Sequence, residues 1–168
     1  RPEYGRVSYH LAWAYLERAR GLEGGPRNMP LLAGLEHARR AVRLPPSYPA
    51  EHGVLGEIAI ELELDETAAE AMFEAARLER NDLTWHRRAA RSLVELEAWD
   101  QAVPVLERLA RFESSDPTTL SMLGAALVNA GDLKRGERVL TRAASLAPQT
   151  EAIVRMLLQT RREIARLE

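Results

Sequence analysis

The stretch Pro117–Thr150, PTTLSMLGAALVNAGDLKRGERVLTRAASLAPQT, decides how the rest of the chain is read. Its apolar and small residues recur at three- and four-residue intervals, first as Leu120, Leu123, Gly124 and Leu127, then as Leu133, Gly136, Leu140 and Ala143. That is the period of an amphipathic helix, met twice. Asp116-Pro117 supplies an N-cap carboxylate followed by a proline at the first helical position, where no backbone N–H is needed. Gly131-Asp132 breaks the pattern in the middle and Pro148 ends it, so the stretch predicts helix, turn, helix.

Stepping back 34 positions lays Leu93-Val94 on Leu127-Val128, Ala102 on Gly136 and Leu106 on Leu140. A second step of the same size sets Leu55-Gly56 against Leu123-Gly124 and Met72 against Leu140. One spacing shared by three units marks an internal repeat. An earlier unit shows in Tyr9, Leu11, Ala12 and Tyr15, followed by Gly34, Ala38, Ala41 and Pro46, with about ten extra residues between its helices. The breakers in Arg20–Arg27 make that insertion an enlarged turn at 20–30. After Thr150 a single helix carries Ile153, Val154, Leu157, Leu158, Ile164 and Leu167, the pattern of a capping helix. The expected architecture is all-α: a right-handed superhelical solenoid forming one domain over 1–168, with repeats at 5–48, 49–82, 83–116 and 117–150 and a capping helix at 151–168. Pro104 lies inside a predicted helix and calls for a late helix start or a kink there.

The unit at Pro117–Thr150 resembles the tetratricopeptide repeat, whose 34-residue unit has a Leu-Gly pair in its first helix and small residues early and late in its second. Leu123-Gly124, Leu127, Gly131-Asp132, Gly136, Leu140, Ala143 and Pro148 all stand in register. The unit at 83–116 departs from the pattern, with Ala89-Ala90 for Leu-Gly and Glu97-Ala98 for Gly-Asp. The resemblance implies stacked helix pairs whose first helices line a concave surface, and a scaffold that binds another protein. One subgroup of the family grips acidic chaperone tails with a clamp of Lys, Asn and Arg. Here only Arg88 stands at a basic clamp position, while Tyr9, Trp13 and Val54 replace the Lys and Asn residues, which argues against that role.

Composition narrows the alternatives. The 168 residues are 46% hydrophobic, enough for a core without a metal or disulfide staple. Charged residues make up 29%, yet the formal net charge is −2, so no global field favours nucleic acid or an anionic membrane. Cysteine is absent, which excludes disulfides and thiolate chemistry and leaves a cytoplasmic and a periplasmic location equally open. No apolar run is long enough for a membrane span. The chain starts without Met or a signal-peptide pattern, as a fragment or processed chain would. Lys134 is the only lysine among many arginines, a usage that hints at a GC-rich bacterial coding sequence.

Residues one repeat apart on successive first helices form columns. One runs Trp13, Glu57, Arg91, Ala125, Gln159; another Glu17, Glu61, Glu95, Asn129, Glu163; a third Tyr9, Gly53, Arg87, Ser121, Arg155, flanked by His10, Val54, Arg88, Met122 and Met156. The partner-binding set is therefore Tyr9, Trp13, Glu57, Arg87, Arg88, Arg91, Met122, Asn129 and Arg155. Its arginines and aromatic residues suit a protein or peptide ligand that is acidic and carries an apolar anchor. Taken singly these residues have plain structural readings: Arg91 pairing with Glu57, and an acidic column that is merely solvated.

Catalytic and cofactor chemistry finds no footing. His10, His37, His52 and His86 lack zinc-site spacing, and there is no phosphate loop or Gly-x-Ser-x-Gly. His52 and His86, one repeat apart, read as imidazoles packed between helices. The expected function is a non-catalytic protein-interaction scaffold without cofactor or metal. The alternatives are a self-assembling homo-oligomeric module and a regulatory fragment of a larger protein.

Overall fold

The computed structural model describes residues 2–22, 25–79 and 83–167. Among these the secondary structure is helical throughout: α1 (Pro2–Arg20), a 3-10 turn (Gly25–Arg27), α2 (Asn28–Arg43), α3 (Pro49–Glu61), α4 (Asp65–Leu78), α5 (Thr84–Glu95), α6 (Trp99–Phe112), α7 (Pro117–Asn129), α8 (Leu133–Leu146) and α9 (Glu151–Leu167). The chain forms two compact units, Arg1–Trp85 and His86–Glu168. No described helix is long and apolar enough to cross a membrane.

In the first unit, α1 buries Ala12, Leu16 and Ala19 against Leu31, Leu35 and Ala38 of α2, and Val54, Leu55 and Ile58 of α3 complete this core. Every residue of α3 from Gly53 to Ala59 is buried, so this helix is enclosed rather than two-faced. Its N-terminus is closed by Glu51, whose Oε2 accepts the Tyr48 N–H at 3.0 Å. The inserted turn is shorter than expected. Helix α2 is already under way at Asn28, because Pro30 sits in its first turn, where a missing N–H leaves no hydrogen bond unmade. Gly24 lies outside the described residues.

In the second unit, the Asp116 carboxylate caps α7, accepting the backbone N–H of Thr119 at 2.8 Å and of Thr118 at 3.4 Å. Helices α7 and α8 approach through two glycines. A Cβ on Gly124 would stand 2.6 Å from Leu140 Cγ, and one on Gly136 would stand 2.6 Å from Val128 Cγ2. Helix α9 lays Ile153 on Val139, Ala143 and Ala144 of α8, and Arg161 Nε donates to Glu137 Oε1 at 2.8 Å. Helix α6 runs from Trp99 to Phe112 with Pro104 inside it, so of the two outcomes expected from that proline, a late start or a kink, the late start does not occur. Pro104 is exposed, so the Asp100 carbonyl that loses its helical donor is open to water.

Three turns between paired helices repeat one construction. The amides of Leu64, Ala98 and Asp132 donate to the carbonyls of Ala59, Leu93 and Leu127 at 2.9, 2.9 and 2.8 Å. One residue earlier, those of Glu63, Glu97 and Gly131 donate to Ile60, Val94 and Val128 at 3.0, 3.1 and 3.0 Å. This pair of bonds is the Schellman helix end, and it requires positive φ at the residue between. The observed values are 57° at Glu63, 54° at Glu97 and 89° at Gly131. The departure from Gly-Asp at Glu97-Ala98 thus changes the residue and leaves the turn intact.

Candidate functional site

A cleft of about 550 Å³ opens in the second unit where α5, the end of α6 and the start of α7 meet. Arg87, Ala90 and Arg91 come from α5, and Leu109, Phe112 and Glu113 from the end of α6 and the residue after it. Ser114, Ser115 and Asp116 form the connecting turn, and Thr118, Thr119 and Met122 come from α7. Residues 87 and 91 share a helical face because they are four apart. Leu109 forms a buried floor, Met122 is half-buried, and Phe112 holds an aromatic ring out in solvent.

Three of the four charged groups lining the cleft, Arg87, Glu113 and Asp116, are held by hydrogen bonds. Glu113 accepts from Arg87 Nε at 2.6 Å through Oε1 and from Thr119 Oγ1 at 2.9 Å through Oε2, which fixes the Arg87 guanidinium against the α6–α7 turn. Asp116 is engaged in capping. Hydrogen bonds from Thr119 and Thr118 hold its carboxyl below the ordinary aspartate range, against the opposing effect of burial. Arg91 is the exception: it makes no ion pair among the described residues. The cleft therefore offers one uncommitted cation beside an apolar floor and an exposed ring.

The corresponding surface of the first unit is internally neutralised. Glu57 is buried and accepts from Arg20 Nη2 at 3.0 Å. Arg20 also reaches Glu17 at 3.1 Å and Glu61 at 3.6 Å, and Arg27 of the inserted turn pairs with Glu61. The acidic column is thus not merely solvated at Glu17 and Glu61: two arginines from α1 and the turn cover it.

The sequence-derived site residues separate accordingly. Arg87, Arg91 and Met122 line the cleft together. Arg88, next to Arg87 in sequence, is exposed but does not line it. Tyr9 packs on the first core with its ring edge toward His10, the centroids 5.1 Å apart. Trp13 is partly exposed on α1. Asn129 caps its own helix by donating to the Ala125 carbonyl at 2.9 Å, and Arg155 is exposed beside Glu151 at 3.8 Å. Phe112, Leu109 and Glu113 were not anticipated, because the columns were drawn on first helices alone. The signal was present as an aromatic residue at the end of a second helix, followed by Glu113-Ser114-Ser115-Asp116.

Of the two histidines one repeat apart, His86 is buried, and half-buried His52 shares a 2.8 Å hydrogen bond with Ser47 Oγ. Burial pushes the His52 imidazole below its usual range; Arg77 adds to this, while Glu74 and Glu70 oppose it. No cluster of three potential metal ligands occurs among the described residues.

No family model matches the sequence, and no curated protein matches it either. Solved structures do. MamA residues 41 to the end from Desulfovibrio magneticus RS-1 superposes with a TM-score of 0.63 at 18% identity, over 92% of this chain and 85% of that one. MamA from AMB-1 gives 0.65 at 14% identity, over 95% and 84%. YrrB, described as a TPR protein with an unusual peptide-binding site, gives 0.60 at 20% identity, over 87% and 74%. The chain accordingly has the helical-repeat fold of the tetratricopeptide proteins.

Proposed function

We propose that this protein is a non-catalytic interaction scaffold that holds a segment of a partner protein, with the cleft between α5, α6 and α7 as its principal contact. The observation that carries the reading is the uncommitted Arg91 guanidinium set between the apolar floor of Leu109 and Met122 and the exposed ring of Phe112. Such a cleft fits a carboxylate side chain with a large apolar neighbour: Arg91 pairs with the acid, and the apolar group shields that pair from water. Arg87, already neutralised by Glu113, shapes the wall and contributes less charge. The peptide-binding site of YrrB, on the same fold, is in keeping with this use of the scaffold.

A random peptide display selected on the purified chain, followed by titration calorimetry, tests the reading. Selected peptides should pair Asp or Glu with an aromatic or aliphatic residue. Arg91→Glu and Phe112→Ala should each weaken them roughly tenfold or more, while Arg88→Glu changes affinity by less than about twofold. Equal losses at all three positions, or selection of basic peptides, would remove the cleft from the account.

A further inference from the structure

The cleft between α5, α6 and α7 is lined by as many anions as cations: Glu113 and Asp116 against Arg87 and Arg91. Neither carboxylate is free to turn away from a ligand. Glu113 is held from two sides, by Arg87 Nε on Oε1 at 2.6 Å and by Thr119 Oγ1 on Oε2 at 2.9 Å. Asp116 accepts the amides of Thr119 and Thr118 at 2.8 and 3.4 Å, so rotating it away would uncap α7. Hydrogen bonding to Thr119 holds its carboxyl below the ordinary aspartate range against the effect of burial, which keeps it ionised at neutral pH.

These fixed anions restrict the charge that a ligand can bring. Phosphate is bound elsewhere by the free amides of a helix N-terminus or by several arginines acting together. Here the amides at the start of α7 are occupied by Asp116, and Arg87 is occupied by Glu113. Only Arg91 is left, and it balances one negative charge. A phosphoryl group carries about −1.5 to −2 at neutral pH, so its excess charge would face Glu113 and Asp116. Buried Leu109 and half-buried Met122 keep water from part of the cleft and leave that repulsion less screened. We infer, resting on the acid-binding reading of this cleft, that it accepts a singly charged carboxylate and rejects a phosphorylated side chain. Phosphorylation of a serine or threonine beside the bound acid then releases the segment. Arg91 supplies the attraction, and Glu113 and Asp116 supply the discrimination.

The test uses three synthetic peptides of about ten residues. One has a single Glu followed by Phe in an otherwise uncharged sequence; the second has phosphoserine in place of that Glu; the third has phosphoserine directly before it. Each is titrated into the ¹⁵N-labelled chain and followed by amide chemical shifts. The Glu peptide should move the Arg91 and Phe112 signals, and both phosphopeptides should bind roughly tenfold or more weakly. Raising NaCl from about 0.05 to 0.5 M should narrow that gap, since salt screens the repulsion, and this arm needs no variant. Glu113→Gln with Asp116→Asn should bring the phosphopeptides level with the Glu peptide or ahead of it; asparagine still caps a helix, so α7 is retained. The inference alone is overturned if the Glu peptide moves the cleft signals and the phosphopeptides bind as tightly, or if the gap ignores salt. If the Glu peptide leaves the cleft signals in place, the acid-binding reading falls and this inference with it.

Discussion

Glu57 and Arg91 stand one repeat apart, at equivalent positions of α3 and α5, and the two units treat them in opposite ways. In the first unit Glu57 is buried and paired with Arg20, and the inserted turn adds Arg27 to the same acidic surface. In the second, Arg91 lines an open cleft and its charge is unclaimed. Column position therefore does not by itself make a binding residue. What decides is whether the chain supplies an internal counter-charge. In the first unit it does at Glu57, and that pair serves cohesion; in the second it does at Arg87, through Glu113, but not at Arg91 among the described residues.

Two glycines at equivalent repeat positions, Gly34 and Gly136, differ in how closely their helices approach, and this gives the largest expected effect. At Gly136 an added Cβ would meet Val128 Cγ2 at 2.6 Å and the Gly124 carbonyl oxygen at 3.1 Å, so the α7–α8 pair has no room to yield. At Gly34 it would meet Tyr15 Cβ at 3.1 Å and Ile58 Cδ1 at 3.2 Å, contacts that need give by only tenths of an ångström. Gly136→Leu should cost about 3 kcal/mol in urea unfolding through overpacking. Gly34→Ala should stay within about 1 kcal/mol of wild type, since the gain in helix propensity offsets the squeeze. A Gly136→Leu variant as stable as Gly34→Ala would dissolve this part of the contrast.

Charge comes next in size. Arg20→Ala removes a partner of the buried Glu57 carboxylate and should cost about 1–2 kcal/mol, less than a fully enclosed pair because Arg20 is itself partly exposed. Arg91→Ala should change stability by under about 0.5 kcal/mol while weakening selected peptides. Measuring both variants by chemical unfolding and by peptide titration separates cohesion from binding. If Arg91→Ala destabilises as much as Arg20→Ala, its charge was never free to bind.

Local features of the fold were legible before any coordinates. The Asp116-Pro117 cap and the Gly131-Asp132 break each follow from adjacent residues. The Schellman turns at Glu63 and Glu97 were less visible, since packing of the helix pair holds a glutamate at positive φ where glycine would be relaxed. Two features could not be read from periodicity. The Arg27–Glu61 pair joins an insertion to a repeat, so no repeated spacing announces it. The cleft draws Phe112 and Glu113 from the end of a second helix, outside the columns that located Arg87, Arg91 and Met122.

The smallest expected effect is on pH dependence, and it belongs to the first unit's packed polar groups. Burial lowers the His52 pKa in the folded state, so the unfolded chain binds the proton more readily as pH falls. The stability gained by keeping His52 neutral is therefore complete above its unfolded pKa of about 6.5 and is lost as pH drops below that value. Neighbouring Glu51 acts with the opposite sign. Burial raises its pKa against the hydrogen bond from Tyr48, so the folded state takes up that proton first and gains stability as pH falls toward the ordinary glutamate range. Melting temperature followed downward from about pH 7.5 should first decline through the His52 window. His52→Gln should flatten that upper limb and leave the lower one, whereas Glu51→Gln should do the reverse. A His52→Gln variant with an unchanged upper limb would assign the neutral-pH sensitivity to another group.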